Sequence, residues 1–304
     1  MKIAFIGHTH FAHRLSETFQ KRGYTTSVYD YKYWGRRFLP SMSDVKSYDI
    51  LHFISGTGLR KYLYAIFLRY YYNKIIIIHF VGSDVTRLRT RRRFDQLNWI
   101  LAINSAHRVF CVSSWLTEEI KSYCNAETFP LFFLNFNYTQ ESMPKKFTIL
   151  SYIPYSRPNF YGESYVQKLI EKNPDINFII LGSNKLSSYA NVETHSINYQ
   201  INMLQYYNRT SLLLRLTEHD GLSNMVLESL ALGRHVIWTY KFPFVYTVKR
   251  ELNQIQNIIN QLKQEKLNIS ASNWIKKNFV YESFIDQLEL LYKNPKMKIK
   301  PLGF

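Results

Sequence analysis

Two carboxylates eight positions apart, Asp220 and Glu228, are where this 304-residue chain could do chemistry. Asp220 lies in the loop of the stretch RLTEHDGLSNMVLESLALGR, residues 215–234, and Glu228 lies in the helix pattern that follows. Met225, Leu227, Leu230, Ala231 and Leu232 give that helix its apolar positions, and Gly233 stands where a stop is expected. Apolar runs at 211–214 and 236–238 flank the stretch, so the layout reads strand, loop, helix, strand. In a parallel α/β sheet the loop after a strand's carboxyl end is where ligands sit. The helix behind it turns free N–H groups and a partial positive charge on that loop, which suits a phosphate. An acid within an apolar helix face needs a partner, and a sugar or ribose hydroxyl would serve. The alternative is that Glu228 is exposed and Asp220 only caps the helix.

Other residues with chemical reach stand at further strand ends. Arg215 closes the first apolar run, where a charge needs a reason: a phosphate, or a pair with Glu218. Arg157 lies in the loop 156–162 (SRPNFYG) after a strand at 147–153. Gly182-Ser183-Asn184 ends a strand at 177–182 and could form a nucleotide-base loop. Residues 74–80 hold four consecutive isoleucines, a central strand that empties into Val81-Gly82-Ser83-Asp84. Ser83 and Asp84 stand at that strand end, placed to meet a ligand or to serve as a helix cap. His8 and His10 lie in the loop after the first strand.

These loops imply two Rossmann-like halves. Residues 2–7, a helix with Phe11, Leu15 and Phe19 on one face, and 25–29 make the first βαβ unit. Its loop is Gly-His-Thr-His, not G-x-G-x-x-G, which argues against a nicotinamide enzyme. Strands are expected at 50–55 and 108–112 in the same half, and SMPKK at 142–146 reads as the linker. Helices are expected at 200–207, 247–262, 271–279 and 281–292. The expected organisation is a first domain over 1–143, a second over 147–280, and a last helix with a basic tail over 281–304.

Composition sets outer limits. Hydrophobic residues are 46% and charged residues 20%, as in a folded globular protein. The strongest apolar run, 75–81, is far short of the roughly 20 residues that span a bilayer. The first residues lack the long apolar core of a signal peptide. Cys111 and Cys124 can form neither a disulfide framework nor a metal cage, so a cytosolic chain with reduced thiols is expected. The net charge of +17 is uneven: residues 57–93 hold nine Lys or Arg and one acid. Arg60, Lys61, Arg91, Arg92 and Arg93 belong to this region, which also interleaves Tyr62, Tyr64, Phe67, Tyr70, Tyr71 and Tyr72. Basic side chains beside Tyr and Phe suit an anionic membrane surface or a nucleic acid, or form a solvated face over a core. No nucleic-acid-binding module is recognisable, so a membrane is the expected partner and nucleic acid is not.

The stretch 220–236 resembles the donor-site signature of the retaining, double-Rossmann glycosyltransferases called group 1, whose pattern is Glu-Gly-Phe-Gly-x-x-x-x-Glu-Ala-x-Ala-x-Gly-x-Pro-Val. Here Gly221, Glu228, Ala231, Gly233 and Val236 are in register, Asp220 replaces the first Glu, and His235 replaces the Pro. The 156–162 loop is similar to the family's phosphate loop in Arg157 and Gly162, with Tyr161 where a Lys is usual. The 79–84 loop resembles a His-Gly-Ser-Asp loop, with His79 three positions before Gly82 instead of adjoining it. The resemblance implies an α/β fold of two Rossmann-like domains facing across a cleft (GT-B type), the last helix crossing back to the first domain. It implies transfer of a sugar from a nucleoside-diphosphate sugar to a glycan or lipid-linked acceptor, with retention and without a bound metal or other cofactor. Asp220, Asp84 and His79 then form the catalytic set. Arg157, Arg215, Gly182, Gly221, Leu222, Ser223, Asn224 and Glu228 form the donor set. His8, Gly82, Ser83 and the basic residues named above face acceptor and membrane. The expected setting is bacterial surface polysaccharide synthesis at the inner face of the cell membrane, with a second glycosyltransferase as a possible partner. Two other readings share these features: a non-catalytic glycosyltransferase-like subunit and a nucleotide-sugar epimerase.

Overall fold

Runs apolar on both faces, such as Ile75–Phe80, settle only as strands covered by helices on both sides. In a computed structural model of the chain, residues 1–30, 41–54, 59–90, 93–132, 141–196 and 202–298 are described. Arg91 and Arg92 lie outside the described residues, as do the side chains of Arg60, Lys61 and Arg93. The chain divides into two units: Met1–Phe133 with Tyr281–Phe304, and Leu134–Val280.

The first unit runs β1 (Lys2–Gly7), α1 (Thr9–Lys21), β2 (Thr25–Asp30), α2 (Met42–Val45), β3 (Ile50–Ile54), α3 (Leu59–Tyr72), β4 (Ile75–Phe80), α4 (Ser83–Arg89), α5 (Arg93–Asn104), β5 (Arg108–Cys111), α6 (Ser114–Ile120) and β6 (Glu127–Thr128). Its strands form one parallel sheet in the order β2-β1-β3-β4-β5-β6. The second unit runs β7 (Thr148–Ile153), a 3-10 turn Pro158–Tyr161, α7 (Glu163–Lys172), β8 (Asn177–Gly182), β9 (Val192–His195), α8 (Leu204–Tyr207), β10 (Leu212–Arg215), α9 (Asn224–Ala231), β11 (His235–Trp238), β12 (Tyr246–Thr247), α10 (Leu252–Leu262) and α11 (Ile269–Asn278). It too is a parallel sheet, ordered β12-β11-β10-β7-β8-β9.

The last helix, α12 (Tyr281–Lys293), belongs to the first unit. Its Phe284, Leu288 and Tyr292 are fully buried. Tyr292 packs on Phe19 of α1 at 5.1 Å between ring centres, and its hydroxyl is 2.7 Å from His52 Nδ1 in β3. Arg22, just past α1, pairs with Glu282, Asp286 and Glu289 of α12.

The boundary between units falls before 134, not at the expected linker. Residues 141–143 are held to the second unit by Arg234, whose guanidinium donates to the carbonyls of Glu141 and Ser142, each at 3.2 Å. The helix expected from 247 starts at Leu252, because Tyr246–Thr247 pairs with β11 as a short edge strand.

Candidate functional site

In the second unit the carboxyl ends of β7 and β10 bring two loops together. Arg215, the last residue of β10, pairs with Asp220 through Nε at 2.5 Å and a terminal nitrogen at 2.9 Å. Both side chains are only 12% exposed. Glu218 is therefore not the partner of Arg215; it pairs with Arg250 at 2.9 Å. Burial opposes the charge on Arg215, but Asp220 outweighs it and holds the guanidinium's pKa above its ordinary value. The Asp220 carboxylate also accepts from the Thr217 hydroxyl at 3.1 Å and Trp238 Nε1 at 3.2 Å, while its own N–H donates to the Tyr240 hydroxyl. Asp220, which the resemblance puts in the catalytic set, is thus a carboxylate engaged by Arg215, Thr217 and Trp238 that fixes Arg215.

The loop before α9 leads into this pair. No hydrogen bond among the described residues uses the N–H groups of Gly221, Leu222, Ser223, Asn224 or Met225, and Ser223 gives α9 no side-chain cap. Those donors, with the helix's partial positive charge, make an anion seat beside Arg215. Glu228, one turn into α9, is buried and accepts a hydrogen bond from the hydroxyl of buried Tyr207 in α8.

The second loop presents Arg157, exposed and with its guanidinium 4.7 Å from the Phe160 ring centre. Tyr161, in place of a Lys, lies edge-on to Tyr152 at 5.2 Å. Gly162 has φ +83°, and a Cβ there would lie 2.7 Å from Leu216 Cβ, so only glycine lets the loops approach this closely. Arg250, which sequence reasoning missed, clamps them. It donates to the carbonyls of Leu216 at 2.8 Å and Asn159 at 3.3 Å, reaches that of Phe160, and holds Glu218. Gly182, at φ +110°, ends β8 against β7: a Cβ there would be 2.7 Å from the Ile153 carbonyl oxygen.

His235, in place of the family's Pro, uses its N–H in a bond to the Ser211 carbonyl and its Nε2–H in one to Lys266. A groove of about 410 Å³ opens at the opposite, amino-terminal edge of β7, β8 and β9, where Arg209 is already paired with Glu193. It takes no part in this site.

In the first unit, His8 and the 81–84 loop stand at the carboxyl ends of β1 and β4, with β3 between them. The Asp84 carboxylate turns back on its own loop and accepts the N–H groups of Gly82 at 2.8 Å, Val85 at 3.1 Å and Val81 at 3.1 Å. Asp84 is buried and Ser83 half-buried. Burial lowers the pKa of His8 to about 4. His79 departs from the expected catalytic role. It is fully buried, its Nε2–H donates to the Phe129 carbonyl at 2.7 Å, and its ring stacks on His52 at 5.6 Å. Alternation along β4 points it into the core and not into the loop. Among the described residues no group of His, Cys, Asp or Glu could hold a metal ion, and no helix is long and apolar enough to cross a membrane.

Similarity to solved structures extends over nearly the whole chain. Sucrose-phosphate synthase from Thermosynechococcus elongatus matches with a TM-score of 0.75 at 12% identity, covering 97% of this chain and 99% of that one. Anabaena HepE, solved with UDP and glucose, matches at 0.71 and 11%, covering 97% and 100%. The fold is that of GT-B glycosyltransferases. UDP-GlcNAc 2-epimerase from Neisseria meningitidis, bound to UDP-GlcNAc, matches at 0.55 and 14%, covering 97% and 100%. No protein-family model matches the chain, and no curated protein matches it.

Proposed function

We propose that the chain is a glycosyltransferase that takes a sugar from a nucleoside-diphosphate sugar. The observation carrying this reading is the anion seat in the second unit: N–H groups before and at the start of α9 that no hydrogen bond among the described residues uses, beside a buried, carboxylate-held Arg215. The barrier in this chemistry is heterolysis of the bond from the anomeric carbon to the diphosphate oxygen. The electron pair stays on the leaving phosphate, and the acceptor hydroxyl bonds to the carbon and gives its proton to that phosphate oxygen. Fixed donors aimed at the leaving oxygens stabilise that charge without reorganising. Arg215, the α9 N–H groups and Arg157 would supply them, Glu228 would take the ribose hydroxyls with Tyr207 orienting it, and Gly182 would leave room for the base. Asp220 acts through Arg215. The backbone of residues 221–224 would hold the sugar.

The acceptor is a glycan or a lipid-linked glycan, met by the His8 and 82–84 loops of the first unit. Transfer proceeds with retention and without a bound metal. The chain works peripherally at the inner face of the bacterial cell membrane in surface polysaccharide synthesis, alone or beside a second glycosyltransferase. Epimerisation of a nucleotide-sugar is the second reading, favoured by the fold shared with the epimerase bound to UDP-GlcNAc.

Thermal-shift binding to UDP, GDP, ADP, CMP and their sugars, on wild type and Glu228→Ala, tests the donor site. One nucleotide family should bind and should weaken about 10- to 100-fold in the variant, as expected for a charge-assisted bond. Binding to none by a folded sample rejects the donor site and leaves a non-catalytic subunit. Conversion of the donor sugar without any acceptor would make the chain an epimerase.

A further inference from the structure

The two faces of the first unit's sheet are unlike. The β1-to-β2 connection runs one way along the sheet; the β3-to-β4 and β4-to-β5 connections both run the other way. Right-handed crossovers therefore put α3 and α5 side by side on the face opposite α1. Arg69 pins them together by donating from α3 to the carbonyls of Ser105 and Ala106, just past α5. Face one, with α1 and α12, is closed by aromatic packing and by Glu282, Asp286 and Glu289 around Arg22.

The outer side of α3 and α5 is apolar where water should meet polar groups. Tyr70 is 70% exposed, Tyr71 72%, Leu97 60% and Leu101 66%, with Phe67 stacked on Tyr71. Positions 67, 70 and 71 share one side of α3, and 97 and 101 share one side of α5, while Leu68, Trp99, Ala102 and Ile103 fill the core beneath. The charge near this patch is mainly positive, although Arg89 lies 3.4 Å from Glu119. Arg87 and Arg89 of α4 are exposed, and the sequence adds Arg91, Arg92 and Arg93 before the helix pattern of α5. From residue 59 to 104 there are nine Lys or Arg against two acids, one of them the buried Asp84.

We propose that this α3–α5 face seats the protein on an anionic lipid bilayer, with Tyr70, Tyr71, Leu97 and Leu101 entering the headgroup layer and the exposed Arg87 and Arg89 of α4, which is joined to α5 by Gln96 donating to the Leu88 carbonyl, meeting lipid phosphates. Tyr and Leu at the level of the headgroups, with Arg nearby, are the composition of an interfacial membrane contact. A second copy is disfavoured as occupant, because it would set two strongly positive faces against each other. The proposal rests on reading the chain as a membrane-surface transferase and names the surface that reading needs.

The test is co-sedimentation of the full chain with vesicles of 70% phosphatidylcholine and 30% phosphatidylglycerol, against vesicles of phosphatidylcholine alone. Wild type should bind the anionic vesicles and release on raising the salt. The double variant Leu97→Glu, Leu101→Glu should bind at least about tenfold more weakly. Leu290→Glu, the same change at an exposed site on α12, should bind as wild type does, and circular dichroism of both variants should match wild type. Equal binding by the double variant overturns the proposal, as does equal binding of wild type to both vesicle types. A dimer on size exclusion that the double variant breaks, with no vesicle binding, assigns the face to a second copy and also overturns it. Donor binding, read separately by thermal shift, decides the transferase reading whichever way the vesicles fall.

Discussion

Replacing Asp220 by Asn asks whether that residue works on a sugar or on Arg215. The carboxylate receives two bonds from Arg215, at 2.5 and 2.9 Å, and one each from Thr217 and Trp238. An amide keeps an acceptor for one arginine nitrogen but turns an NH₂ toward the other donors and leaves the guanidinium's charge unbalanced. Breaking a buried pair from one side costs about 3–5 kcal/mol. With both side chains 12% exposed, water relieves part of this, so we expect about 3 kcal/mol. In a unit near 150 residues that lowers its melting temperature by roughly 6–12 °C. Calorimetry on the full chain reads it, beside Arg215→Met and the double variant Arg215→Met, Asp220→Leu. The double variant should recover most of the loss, because removing both charges also removes their desolvation cost. Single-variant losses that simply add in the double variant, or an Asp220→Asn loss below about 0.5 kcal/mol, would refute the pairing. The same variant should weaken a bare nucleoside diphosphate and its sugar conjugate alike; a loss confined to the conjugate would return Asp220 to the sugar.

Two further outcomes follow from geometry. Gly162→Ala and Gly23→Ala share a φ of +83°, but a Cβ at 162 meets Leu216 at 2.7 Å whereas one at 23 meets nothing within 4 Å. Gly23→Ala should cost about 1 kcal/mol in denaturant unfolding, Gly162→Ala more by 1 kcal/mol or greater, and only Gly162→Ala should also weaken nucleotide binding. His79 is held by burial at a pKa of about 3, below its ordinary 6.5, and burial also drives His52 well down. The unfolded chain then takes up the proton first as pH falls, so this stability is whole above pH 6.5 and is lost on the way toward pH 3. By pH 5 the loss at His79 alone is about 2 kcal/mol, and melting temperatures between pH 7.5 and 5 should fall less steeply in His79→Gln, whose amide keeps the bond to Phe129.

Much of this architecture is legible in the residues. Continuous apolar runs announce β1, β3, β4, β7, β8 and β10, and the alternation of such runs with amphipathic helices implies two Rossmann-like halves. The edge strands β6, β9 and β12 are not legible. They span two to four residues, and a sequence such as Val192–His195 carries no apolar run to mark them, since an edge strand packs too little of itself. At the site, spacing finds Asp220 and Glu228 but not their partners. Tyr207 reaches Glu228 from 21 residues away, and Trp238 and Tyr240 reach Asp220 from 18 and 20, distances that only the sheet order brings together. Spacing favours Glu218 for Arg215, three positions on; the turn after β10 instead returns the chain at Asp220. His79 misleads because a strand apolar on both faces hides which side each residue takes. The exposure of Leu97 and Leu101 is hidden for a related reason: the apolar residues of α5 are spread round the helix among polar ones, and nothing in their periodicity says which side is left uncovered.

The return of α12 to the first unit reverses the order in which the protein can be completed as it is made. Residues 1–133 leave the ribosome before the second unit, yet the helix that covers their sheet, with Phe284, Leu288 and Tyr292 at its core, is translated after it. The second unit is continuous from 134 to 280 and has all its own strands before α12 exists. Domains usually finish in the order of synthesis. Here the nascent first unit must wait, with the apolar surface meant for α12 open, until the whole second unit and then α12 have been made. A stop codon at 281 would therefore leave a second unit with all its strands joined to a first unit that lacks its covering helix, which makes residues 281–293 as exacting a part of the first unit as its first strand.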